Sequence, residues 1–173
     1  MPVRDAIKRL ELERLVVSSP QRGSFAAEID LGDETWLTEA RIELEGRAAL
    51  LAAERATATD RATLVALEKE LELSLSAFAS AIALSMQDVA IHRAIYAAAH
   101  NPYLETVLNQ YTNAAARIWH YAIRSLGPRT PRPCDQAEVV AAIIACDGER
   151  ARVAAEAHLR RFSSDVGRLL QAG

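Results

Sequence analysis

A chain of 173 residues, half of them hydrophobic, can bury one sizeable core, which excludes a disordered tail. Only 7 glycines, 6 prolines and 5% aromatics, with abundant alanine, favour closely packed helices over sheets. A net charge of -3 excludes an obligate nucleic-acid coat protein, so any DNA contact must be local.

The chain opens with PVRDAIKRLELERLV, in which Val3, Ile7, Leu10 and Leu15 form a helical stripe and Pro2 suits a first turn. Two β-prone runs around Ser-Pro-Gln-Arg-Gly then predict a hairpin with a basic tip. From Asp33 the periodicity turns helical, with one helix over TWLTEARIELEGRAALLAAERA and a second over DRATLVALEKELELSLSAFASAIAL, the latter N-capped by Asp60. A third helix carries QDVAIHRAIYAAAHNP and stops at its proline, and a fourth covers YLETVLNQYTNAAARIWHYAIRSL up to Gly127. GPRTPRP is a loop. The last two helices, DQAEVVAAIIAC and ERARVAAEAHLRRFSSDVGRLL, are split at CDGE, where Asp147 ends one helix and caps the next while Gly148 tolerates the turn. With no charged-then-apolar leader, no apolar run approaching a membrane span and two cysteines, Cys134 and Cys146, the expectation is a reduced, cytoplasmic protein without a disulfide.

Asp88 and His92 stand four residues apart in an otherwise apolar helix, so their side chains meet on one face and can hold a divalent metal from one side. The plain alternative is a carboxylate hydrogen-bonded to a histidine. His158 lies eleven residues after Asp147 and Gln136 eleven before it, so a chain that folds back at Asp147-Gly148 brings the two level. One continuous helix would instead separate them by roughly 33 Å. A helical hairpin thus brings His158 and the Gln136 amide to face Asp88 and His92 across a bundle interior.

These residues resemble the FadR-type subfamily of GntR transcriptional regulators, above all its C-terminal ligand-binding FCD domain. DVAIH resembles the family's Asp-x-x-x-His pair, HNPYL its asparagine-containing helix end, and CDGERARVAAEAHL its Asp-containing turn and closing His-Leu. The resemblance implies an all-α, antiparallel helical bundle over 32–173 with a divalent metal (zinc, nickel or manganese) on Asp88, His92 and His158. Gln136 stands where the family carries a histidine, as a fourth ligand or as a hydrogen-bond partner, and the exchange weakens the donor set. Arg41 matches a family arginine suited to a small carboxylate effector, with a salt bridge to Glu45 as the plain alternative. Asn101 is expected in the same cavity, or simply as a helix terminator.

Residues 1–31 are similar to the recognition helix and wing of the family's winged helix-turn-helix. By that match Arg4 and Lys8 face the DNA major groove and Arg22 and Gly23 form the wing tip, a solvated helix face being the alternative for Arg4 and Lys8. The family has further helices before this point, where this sequence has only Met1, so the stripe of Val3, Ile7 and Leu10 is expected to be exposed and DNA binding to depend on those helices.

The resemblance implies a non-enzymatic regulator: a homodimer, not associated with membranes, that senses a small carboxylate beside a metal. The competing readings are a metal-dependent enzyme, since two histidines and a carboxylate also describe a hydrolytic centre, and a helical dimerisation module that has lost DNA binding.

Overall fold

The computed structural model describes residues 2–29, 32–126 and 136–171. Among these, seven helices and one hairpin follow in the order α1 (Pro2–Leu12), β1 (Val16–Ser19), β2 (Gly23–Ala26), α2 (Asp33–Arg55), α3 (Ala58–Ser76), α4 (Ala81–Ala98), α5 (Pro102–Leu126), α6 (Ala137–Ile144) and α7 (Gly148–Gln171). The expected all-α bundle is present. The expected loop GPRTPRP, Cys134 and the boundary at residue 31 lie outside the described residues.

The centre of the bundle is α2, which packs on α4, α5, α6 and, most extensively, α7. Its second half is a seam of small residues: Ala48, Ala49, Ala52 and Ala53 are almost fully buried. Without large side chains between them the helix backbones approach closely, as Gly46 demonstrates. A Cβ there would stand 3.0 Å from Glu156 Cγ on α7. Two helical hairpins, α3–α4 and α6–α7, close around this axis, and α5 lies across α4 and α2. Leu64, Leu71, Leu84, Ile91, Ile95 and Ile143 fill the core between them.

Arginines tie off helix ends. Arg61 Nη1 donates to the carbonyls of Ile143 and Ile144 at the end of α6, and its Nη2 donates to those of Ala53 and Ala56 at the end of α2. Arg55 does the same for α4 through the Ala99 carbonyl at 3.2 Å.

Several helix boundaries differ from expectation. The N-cap of α3 is Thr57, not Asp60: Thr57 Oγ1 accepts from the Asp60 amide, and Asp60 Oδ2 accepts from the Thr57 amide at 2.8 Å, a reciprocal capping box. The helix expected to continue through SAFASAIAL breaks after Ser76, because Phe78 adopts φ 56° and Ser80 then caps α4 through the Ala83 amide. At the α6–α7 bend the left-handed residue is Cys146 (φ 58°), while Asp147 Oδ1 accepts from the Arg150 amide and caps α7 as expected. Gly148 is helical, and its missing Cβ makes room for Leu50 Cγ, 3.2 Å from where that carbon would sit.

The hairpin pairs Val16 with Ala26 and Ser19 with Gly23, turning through Gln21 and Gly23, both at positive φ. Helix α1 packs on β1 and buries no residue completely; of the stripe expected to be exposed, Val3 is 72% and Leu10 38% exposed, while Ile7 is partly buried. Arg117 on α5 ties the hairpin to the bundle by donating to the Ala27 carbonyl at 2.5 Å.

Candidate functional site

Helical periodicity puts Asp88, His92 and Tyr96 on one face of α4, and that face points inward: His92 and Tyr96 are buried and Asp88 is partly so. The backward fold at Cys146–Asp147 swings α7 so that His158 reaches the same place, 3% exposed. His92 Nε2 lies 3.6 Å from Asp88 Oδ2, and His158 Nε2 lies 3.9 Å from Asp88 Oδ1. The two imidazoles meet edge to face with centroids 5.2 Å apart. One donor atom from each of the three residues falls within 4.8 Å of the others, a grouping able to hold a metal ion. Donors on a single ion stand roughly 3 to 4 Å apart, so side-chain shifts of about 1 Å close the set.

Gln136 sits at the N-cap of α6 and is 1% exposed. Its Nε2 donates to Asp88 Oδ1 at 2.6 Å. This is the hydrogen-bond role open to Gln136; the ligand role would use the amide oxygen, Oε1, which this bond leaves uncommitted.

Arg41 takes the plain alternative, donating from Nε to Glu45 Oε1 at 2.6 Å with both side chains almost fully buried. Glu45 itself was not anticipated as a site residue. Its other oxygen, Oε2, lies 2.8 Å from His92 Nδ1. Tyr96 adds a hydroxyl 3.3 Å from the same nitrogen and 2.9 Å from Thr112 Oγ1 on α5. Both residues had a signal in the sequence, because Glu45 follows Arg41 by four and Tyr96 follows His92 by four; contact between those two helices had none.

The electrostatics follow from burial opposed by charge. Burial pushes the Glu45 carboxyl up, but Arg41 and then His92 overrule it and hold it at about 2, so Glu45 is an anion. Burial pulls His92 down, yet the carboxylates of Glu45 and Asp88 outweigh it and leave its pKa raised. His158 has no such support: burial, reinforced by the charge of His92, lowers it to about 4, and it is a neutral imidazole at physiological pH. Its Nδ1 is buried without a hydrogen-bond partner. A carboxylate and an unprotonated imidazole beside a second imidazole suit a borderline divalent cation.

Two small cavities touch the cluster. One of about 10 Å³ lies against His92, Tyr96, Gln136 and His158. The other, of about 20 Å³, is lined by Arg41, Asp88, His92, Thr112, Trp119 and His158 among others. Each has the size of about one water. Asn101 lines neither; its Oδ1 accepts from the Leu104 amide and caps α5. A roomier cleft of about 440 Å³, between the segments flanking the hairpin (Leu12 to Leu15, Glu28 and Ile29), α2 and α5, shares no residue with the cluster. Arg4 and Lys8 are exposed on α1, in a groove shared with Ser18 and Ser24 of the hairpin, and Arg22 and Gly23 are exposed at its tip.

The model of the FCD domain family matches residues 36–161, which include the whole cluster. The chain belongs to the FCD domain family. No curated protein matches it. Among solved structures, this FCD protein resembles a GntR-family transcriptional regulator from Pseudomonas syringae pv. tomato at 24% identity and TM-score 0.71, over 99% of this chain and 71% of that one. It also resembles McbR/YncC of E. coli, at 21% identity and TM-score 0.77 over 98% and 84% of the two chains. Streptococcus agalactiae GntR matches at 20% identity and TM-score 0.63, over 94% and 80%. At these identities the likeness is one of fold. Among the described residues no helix is long and apolar enough to cross a membrane.

Proposed function

We propose that the chain is the sensing part of a cytoplasmic, homodimeric transcriptional regulator, in which Asp88, His92 and His158 hold a divalent metal and a small carboxylate effector binds beside it. The observation that carries this reading is convergence: Arg41 from α2, Asp88 and His92 from α4 and His158 from α7 line one cavity. A bound divalent ion supplies a hard anchor for one carboxylate. Arg41 engages Glu45 through Nε, so an effector would meet the Nη edge of its fork. A cavity of about 20 Å³ admits no metabolite, so binding requires α5 or α7 to give way, and that movement is the signal. The dimer would transmit it to Arg4, Lys8, Arg22 and Gly23 as the DNA-contacting groups, with full binding dependent on helices that pack against α1.

Thermal unfolding of the zinc-loaded and chelator-treated protein against a panel of small carboxylates tests the proposal. About one metal per chain and carboxylate stabilisation only in the loaded form are expected. No bound metal, with no carboxylate response, would favour a plain helical dimerisation module, a reading to which the tightness of both cavities lends some weight.

A further inference from the structure

Among the described ion pairs, Glu45 is the carboxylate shared between a guanidinium on its own helix and an imidazole of the cluster. Oε1 accepts from Arg41 Nε at 2.6 Å and Oε2 stands 2.8 Å from His92 Nδ1, with all three side chains no more than 5% exposed. An ionised carboxylate can only accept, so the nitrogen it faces must carry the hydrogen. A neutral imidazole has one such hydrogen. With Nδ1 holding it at 2.8 Å from Glu45, the lone pair is left on Nε2, which at 3.6 Å stands beyond hydrogen-bond reach of the Asp88 carboxylate. His158 has no equivalent support behind it, since its Nδ1 is unpartnered. The two histidines of the cluster are therefore unequal: one is oriented from behind by a charged chain reaching back into α2, and the other has no hydrogen-bond partner on its Nδ1.

We propose that Glu45 is a positioning residue for the metal cluster, holding His92 in the Nδ1–H tautomer with Nε2 turned toward the ion, and that Arg41 keeps Glu45 in place. Partners of this kind typically contribute 10- to 100-fold to metal affinity. Glu45→Gln is an informative change because it keeps the shape. A glutamine amide can present its own N–H to Nδ1, which drives the imidazole hydrogen to Nε2 and blocks the ligand position. The inference rests on the metal reading above, and the two are separated by comparing three forms of the full chain.

Zinc affinity is measured by competition with a chelating dye for wild type, Asp88→Asn and Glu45→Gln. Nitrogen NMR at alkaline pH reads the His92 tautomer in the metal-free protein, which loss of packing alone would not switch. The expected result is a tight wild type, loss of binding in Asp88→Asn, a 10- to 100-fold weaker Glu45→Gln, and an Nδ1–H tautomer in wild type that Glu45→Gln loses. If Glu45→Gln does not fold, because Arg41 is left buried and unpaired, the double variant Arg41→Met, Glu45→Gln removes both charges and is expected to show the same weakening. A wild type no tighter than Asp88→Asn overturns the metal reading and this inference with it. A tight wild type and weak Asp88→Asn, with the Glu45 variants within twofold of wild type, overturns the positioning role alone.

Discussion

Gln136 Nε2 donates to Asp88 Oδ1 at 2.6 Å, joining the N-terminus of α6 to the carboxylate of the cluster. The amide nitrogen is committed to Asp88 at the place where the family resemblance puts a histidine. Gln136→His is therefore expected to tighten zinc binding at least about tenfold, imidazole being the better donor for that ion. The measurement is a dye-competition titration of both proteins. Equal or weaker affinity in the histidine variant would show that this side chain does not approach the ion.

The Arg61 clamp joins the ends of α2 and α6 through four carbonyls, and those ends lie beside the α6–α7 bend. Arg61→Ala removes a charged donor shared by both helices and is expected to cost about 2 kcal/mol. A lysine cannot fork toward two helix ends, so Arg61→Lys should fall between the two. Urea unfolding reads the order; an alanine variant as stable as wild type would mean that water caps these ends equally well.

Cys146 holds φ 58° at an exposed bend, a conformation that costs an L-residue roughly 1 kcal/mol and that glycine adopts freely. Cys146→Gly is expected to recover up to about 1 kcal/mol, read as a higher melting temperature with unchanged zinc affinity. A lower melting temperature would show that the backbone there is not strained.

The Thr57 side chain and backbone amide, and more weakly His100, hold the Asp60 carboxyl below the usual carboxylate value. A depressed carboxylate stabilises the fold above the unfolded value, about 3.9, and that contribution is lost as pH falls through the folded value. Asp60→Asn should thus be less stable than wild type at pH 7, the gap closing in strong acid, below the folded value of Asp60. The gap is small, because the pair is exposed and screened. Denaturant midpoints under the two conditions check it, and a gap that persists in acid would rule out this titration as its source.

The pairing of Asp88 with His92 was legible because the helical repeat alone brings positions four apart together. The approach of His158 was legible from CDGE, where a cap and a turn residue in sequence imply a reversal. The break between α3 and α4 was not, because Phe78 takes the left-handed place that a glycine or asparagine usually advertises. Asp60 was mistaken for the cap of α3 because both members of a capping box are N-cap residue types, and the backbone decides which of them leads. Glu45 was seen as a partner of Arg41 and of nothing else, since its second oxygen is satisfied from a helix 47 positions away.

By itself, then, the sequence determined which residues share a helix face and where the chain reverses, because backbone repeat and capping chemistry act over a few residues. Only the tertiary structure decided that Glu45 backs His92, that Gln136 holds Asp88 and that the cavity beside Arg41 is small. Those facts depend on how closely α2, α4 and α7 approach, and that spacing comes from the packing of the alanine and glycine seam as a whole.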